Sequence, residues 1–475
     1  MNLRYLACAG VIIICNCAAT AGASDAPSAL PLPLPLPSAA PSSIATSVPV
    51  ASSSPAAVVS PSPGPSVEPS LLPSPPSLPS PSPSPPPPPV RPRDARGISA
   101  ITPPIEPQSP VPTPTIPDAL WFAPSETSTI PIDIHDGVIF VPVVADGKRR
   151  TFLLDTRGNT AVDNSMSAVP MGPEVVLGTL QIGDVRLTNL LAAPERILPY
   201  SVTYLGAAAD GVVGMDFLSR YPITIDYANR RLTLYHTSAA AEIAAQPAGT
   251  ATLSLAQGRS MPATTALVAG KYDGEFAFDL LATTEVVVSD GFARAHRLAT
   301  SNGWKDTAWL ARPSGEIAGR MGRIASLSLG SLDFVRPITV AASPTEPNAL
   351  PHGADGAVGA WLLRRFTVTL DVPGEKLVLA PGSSTSMATA PFDRSGAWLV
   401  QRAGFVEVRS VLPGSPADDA RLRSGDQLLA LNGRAVSALE DVRSAFEGAL
   451  GTSIAVRFHR GIWTRTTKLT LHTVM

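Results

Sequence analysis

The chain has 475 residues, enough for two or three domains of about 100–200 residues each. Its net charge is −2 and only 16% of its residues are charged, which leaves no electrostatic case for binding nucleic acid or an anionic membrane surface. All three cysteines (Cys8, Cys15, Cys17) precede residue 18, so the chain beyond them has no disulfide, thiolate metal site or cysteine nucleophile.

Residues 1–23 read as a secretory signal. Arg4 supplies the positive end, Leu6 to Ile14 is a short apolar stretch, and Ala21-Gly22-Ala23 is a small-residue cleavage site. The expectation is an exported protein of a bacterial periplasm or cell envelope, membrane-anchored only if the signal stays uncleaved. Residues 24–117 hold more than half of the 51 prolines, with runs such as Pro85 to Pro89. A Pro/Ser/Ala-rich segment of this kind buries too little apolar surface to offset its ordering entropy, so it reads as an extended, disordered tether.

From Asp118 short β-rich runs recur between turn signals. Val138 to Val144 and Arg150 to Leu154 flank Asp146-Gly147, a hairpin signal. This run then repeats. Val144 to Asp155 (VADGKRRTFLLD) aligns without a gap to Val268 to Asp279 (VAGKYDGEFAFD), with Phe152 on Phe276 and Asp155 on Asp279. Leu180-Gln181-Ile182-Gly183 is echoed by Leu327-Ser328-Leu329-Gly330. Ala209 to Gly214 (ADGVVG) matches Ala354 to Gly359 (ADGAVG), and Ile223 to Asp226 matches Val368 to Asp371. The spacing from Asp210 to Asp226 and from Asp355 to Asp371 is 16 positions in both copies. Preserved order, phase and polar landmarks make this a duplication, with one half over 118–240 and the other over 241–385.

These landmarks, from Thr127 to Pro381, resemble the retropepsin-like aspartic peptidases, particularly the bacterial form fused to a PDZ domain. The resemblance implies a mainly β fold, a bilobal pair of pepsin/retropepsin-like β-barrels. It also implies one catalytic carboxylate from each half, Asp155 and Asp279, about 3 Å apart and sharing one proton. The ionised member would activate a water and the protonated one would polarise the peptide carbonyl. Thr156 keeps the family's threonine. Arg157 stands where the family has Gly, and so does Leu281; Leu280 replaces the second threonine and Ala282 keeps the end of the motif. Arg157 is expected to favour an ionised Asp155. Asp210, Asp355, Asp226 and Asp371 read as turn residues. Flap hairpins are expected between Thr160 and Leu177 and between Thr283 and Arg320.

Residues 390–475 resemble a bacterial PDZ domain through Pro413-Gly414-Ser415-Pro416-Ala417, Gly425-Asp426 and Asn432-Gly433. Such a domain is α+β and takes an extended peptide as an added strand, with loop amides receiving a terminal carboxylate. The corresponding peptide-binding residues are Gly396, Ala397, Trp398 and Leu399 on the loop and strand, with Val442 and Phe446 on a helix capped by Ser437. The implied partners are peptides or unfolded segments and protein C-termini.

The six histidines form no His-x-x-x-His pair, and no Gly-x-Ser-x-Gly or phosphate loop occurs. No metal or other cofactor is expected. Three readings follow: an intramolecular Asp155/Asp279 peptidase, a catalytically degenerate peptide-binding scaffold on the same fold, and a dimer of first halves each giving Asp155.

Overall fold

The computed structural model describes residues 118–121, 125–167, 174–238, 248–258, 260–300, 303–346, 349–351, 353–382 and 394–474. The expected signal and tether lie outside them. Among the described residues no helix is long and apolar enough to cross a membrane.

The fold is mainly β, and each sequence repeat builds a ring of strands. In the first, Val138–Ala145 pairs with Lys148–Leu154, which runs parallel to Gly211–Val213. That short strand is antiparallel to Ala161–Asp163, itself parallel to Val185–Glu195. Val175–Ile182 then pairs with both Val185–Glu195 and Val138–Ala145, closing the ring. The second repeat follows the same path through Ala263–Val268, Tyr272–Asp279, Gly356–Gly359, Val286–Val288 and Ile338–Ala342. There the closing strand is bent in two. Gly315–Arg323 pairs with Ile338–Ala342, and Ser326–Leu329 pairs with Ala263–Val268.

The aligned residues occupy equivalent positions. Phe152 faces Gly211 across one parallel pair, and Phe276 faces Gly356 across the other. Glycine is required there because a Cβ on Gly211 would come within 2.6 Å of the Phe152 ring, and one on Gly356 within 2.3 Å of Phe276. The glycines that end these strands sit against backbone. A Cβ on Gly359 would meet the Thr284 carbonyl oxygen at 2.2 Å, and one on Gly214 the Gly158 carbonyl oxygen at 2.3 Å. Backbone yields less readily than a side-chain end. Gly359→Ala is therefore expected to cost about 1–3 kcal/mol of overpacking strain in urea unfolding, and Gly214→Ala a similar amount.

A six-stranded sheet joins the lobes: Ala251–Ser254, Lys376–Pro381, Phe366–Asp371, Ile223–Asp226, Arg231–Tyr235 and Thr127–Pro131. At its centre Thr224 pairs with Thr369, its own repeat equivalent, and their hydroxyls lie 2.7 Å apart. A residue paired with its own copy marks a local two-fold axis, so the halves face each other across this point. One continuous apolar core runs from Phe152 and Leu154 through Ile223 and Leu370 to Phe276 and Phe278.

The acidic turn residues act as turn staples. Asp210 accepts from the Thr151 amide at 3.1 Å and from Arg150 at 3.0 Å, and Asp355 accepts from the Glu275 amide at 2.9 Å. Asp226 accepts from Asn229, and Asp371 from the Gly374 amide.

The C-terminal domain is a sheet ordered Ala397–Arg402, Phe405–Val411, Gln427–Leu431, Ser453–Arg460 and Trp463–Thr470, with the helix Leu439–Phe446. Ala397–Arg402 is an edge strand. The helix is not capped by Ser437. Its cap is Ala438, whose amide donates to Asp441 three residues on, so the acidic side chain of the first turn supplies the acceptor.

Candidate active site

The strands Lys148–Leu154 and Tyr272–Asp279 deliver Asp155 and Asp279 at their C-terminal ends. The two loops interlock at one side chain. The Thr156 hydroxyl donates to the Phe278 carbonyl at 2.5 Å and accepts from the Leu280 amide at 3.4 Å. The reciprocal contact is missing because Leu280 carries no hydroxyl; its side chain is buried in the shared core instead.

Each carboxylate is held by its own loop. The Arg157 amide donates to Asp155 Oδ1, and the Leu281 amide to Asp279 Oδ1, both at 3.0 Å. Neither Arg157 nor Leu281 adopts a positive φ, so this turn forms without the glycine that the resemblance leads one to expect.

Burial first, and the neighbouring Asp279 second, raise Asp155 from an ordinary 3.8 to about 7. Arg157, its amide and Arg312 pull the other way and are outweighed. Arg157 thus favours an ionised Asp155, as expected, but burial and Asp279 outweigh it.

Asp279 is 1% exposed and carries a partner that the sequence does not announce. Arg312 Nη2 lies 2.5 Å from Asp279 Oδ2, and Nη1 donates to the Leu281 carbonyl at 3.0 Å. Arg312 is itself 3% exposed, and burial lowers its pKa against the pull of Asp279. It sits at the turn of the hairpin Lys305–Arg312 and Gly315–Arg323, most of which falls in the segment where the second flap is expected. The first expected flap includes residues 168–173, outside those described; Asn164–Met166 form a short helical turn.

A cleft of about 650 Å3 opens at Asp155, lined in part by Asp155, Arg157, Glu195, Arg196, Leu281 and Arg312. The Tyr200 hydroxyl is buried near both carboxylates without a hydrogen-bond partner, and burial pushes its pKa up. No group of metal-ligating side chains occurs among the described residues.

In the C-terminal domain, Ala397 and Leu399 face its core, while Trp398 faces away from it. Val442 and Phe446 are fully buried in that core beside Leu399 and Val406, so they do not line an accessible groove as expected. The helix presents Leu439 and Arg443 to its neighbours instead. Arg443 could not be told from a solvated helix residue by sequence. The Arg312-Pro313-Ser314-Gly315 turn does read as a hairpin tip, but nothing local marks its arginine as buried.

Residues 407–460 match the PDZ domain family. No curated protein matches the chain. Among solved structures, similarity is found to a photosystem II D1 C-terminal processing protease, with 30% identity, a TM-score of 0.16, and coverage of 17% of this chain and 23% of that one. It is also found to the HtrA3 PDZ domain bound to a phage-derived ligand, with 18% identity, TM-score 0.14, and coverage of 15% and 66%. An aspartic proteinase from Irpex lacteus is similar at 12% identity and TM-score 0.35, over 55% of this chain and 98% of that one. The chain thus spans about a quarter of the processing protease's length. The segment 407–460 of this chain is a PDZ domain.

Proposed function

We propose that this is an exported aspartic-peptidase-like protein that cleaves peptide bonds with Asp155 and Asp279, its PDZ domain capturing peptide tails. The observation that carries the reading is the interlocked pair of loops: Thr156 ties the end of one carboxylate-bearing strand to the other, and Asp279 raises its neighbour Asp155. Such a pair holds one proton on Asp155 below pH about 7 while Arg312 neutralises Asp279. When Arg312 withdraws, Asp279 becomes the base that activates a water and Asp155 the acid that polarises the scissile carbonyl. Thr156 positions the two loops and takes no proton.

A second reading is a peptide-binding scaffold without turnover. It is favoured by Leu280 in place of the second threonine and by the Arg312 guanidinium on Asp279, where the shared water would sit.

Turnover of an unfolded protein across pH 3 to 9 separates them. Slow cleavage is expected in the full chain, declining as pH rises through about 7, where Asp155 loses its proton, and abolished by Asp155→Asn and by Asp279→Asn. Equal cleavage by the parent and Asp155→Asn, or none by either, rejects the peptidase reading. Survival of activity in Asp279→Asn alone points to a dimer of first halves.

A further inference from the structure

The groove of a PDZ domain lies between its edge strand and its long helix. Here these are Ala397–Arg402 and Leu439–Phe446, and both walls are touched by one short segment of the first lobe. The segment is the wide helical turn Ser201–Leu205, ended by Gly206 at φ 80°. It packs on the edge strand. The Tyr204 ring stacks on Trp398 with centroids 5.8 Å apart, and its carbonyl accepts from Arg443 at 2.8 Å. Gly206 lies so close to Leu439 that a Cβ there would meet the leucine Cβ at 3.2 Å. Arg443 also pairs with Asp136 of the first lobe at 3.2 Å.

The same tyrosine reaches the flap. Its hydroxyl donates to Glu316 Oε1 at 2.9 Å, and Arg409 of the PDZ domain grips both Glu316 oxygens at 2.7 and 2.8 Å. Glu316 is four residues beyond Arg312, on the return strand of that hairpin. Trp398, Leu205, Tyr200, Ala311 and Leu281 belong to one apolar cluster, so packing is continuous from the groove to the loop beside Asp279.

We propose that the PDZ groove is held shut by the chain's own Ser201–Gly206 segment, and that a peptide with a free apolar C-terminus opens it by taking that segment's place. Removing Tyr204 from Trp398 takes one of two partners from Glu316 and loosens the flap tip. The final consequence, withdrawal of Arg312 from Asp279, rests on the dyad reading above; the self-occupied groove does not. A groove competent in only a fraction of molecules binds with apparent affinity reduced by that fraction.

The test uses the full chain and a pool of decapeptides ending in Val, Leu or Phe with free carboxylates, with the amidated pool as control. Tyr204→Ala is expected to bind the free-acid pool at least tenfold more tightly than the parent by calorimetry. In the parent, saturating free-acid pool is expected to raise hydrogen exchange at 201–206 and 312–316 at least tenfold, while strand Gln427–Leu431 stays protected. Arg409→Ala, an exposed-side change, is expected to raise exchange at 312–316 without peptide. Equal binding by parent and Tyr204→Ala, absence of binding by both, or bound peptide that leaves exchange at 201–206 unchanged overturns the proposal. A flap that loosens without any gain in turnover leaves the latch standing and removes only the step from flap to Arg312 withdrawal.

Discussion

Arg312→Met is expected to destabilise the folded chain by about 3–5 kcal/mol at neutral pH, the largest effect of any single change considered. Methionine fills much of the space of the arginine stem but brings no charge. Asp279, 1% exposed, would keep the Leu281 amide as a hydrogen-bond donor and lose its only ion-pair partner among the described residues. An uncompensated buried carboxylate costs far more than the pair itself contributes. Urea unfolding at pH 7 checks this, and a loss below about 1 kcal/mol would mean that the charge of the pair carries little of the fold's stability. Where Arg312→Met remains folded, it should also cleave unfolded protein faster than the parent, since no guanidinium then occupies Asp279 Oδ2.

The second large effect concerns Asp155 and pH. Its folded pKa is raised, to about 7 from 3.8, so the chain takes up a proton there on folding. Stability from that proton is fully present below pH about 4 and is lost as pH rises through about 7. Asp155→Asn is neutral throughout and should lack this loss. The difference in stability between the variant and the parent should therefore grow by about 2–4 kcal/mol from pH 4 to pH 8, less than a full three-unit shift because Asp155 keeps an edge on the solvent-filled cleft. A constant difference across that range would show that Asp155 is ionised in the folded chain as it is in the unfolded one.

Much of the fold was legible because duplication prints itself twice. The Asp-Gly turns, the glycines facing Phe152 and Phe276, and the strands that meet at Thr224 and Thr369 all follow from aligning the halves. The PDZ domain was legible because its turn residues are local: Ser415 caps the helix Pro416–Asp419, and Asn432-Gly433 turns the chain with positive φ at both residues. What escaped was long-range. Arg312 is buried only because its hairpin folds back over the carboxylates, and Tyr204 is half-covered only because a domain about two hundred residues later closes on it. The stripe Leu439, Val442, Phe446 looks alike whether it walls a groove or fills a core; its position over the sheet put Val442 and Phe446 in the core. The family's glycines are missing at 157 and 281. Yet the amide that serves each carboxylate needs no left-handed backbone, so both contacts persist.

The most direct measurement is a carbon-13 titration of the aspartate carboxyls in the full chain, beside Asp155→Asn. One carboxyl resonance should titrate with a midpoint near pH 7 and be absent from the variant. If every aspartate carboxyl titrates at or below about pH 4, as unperturbed ones do, the two carboxylates share no proton and the account of the site fails.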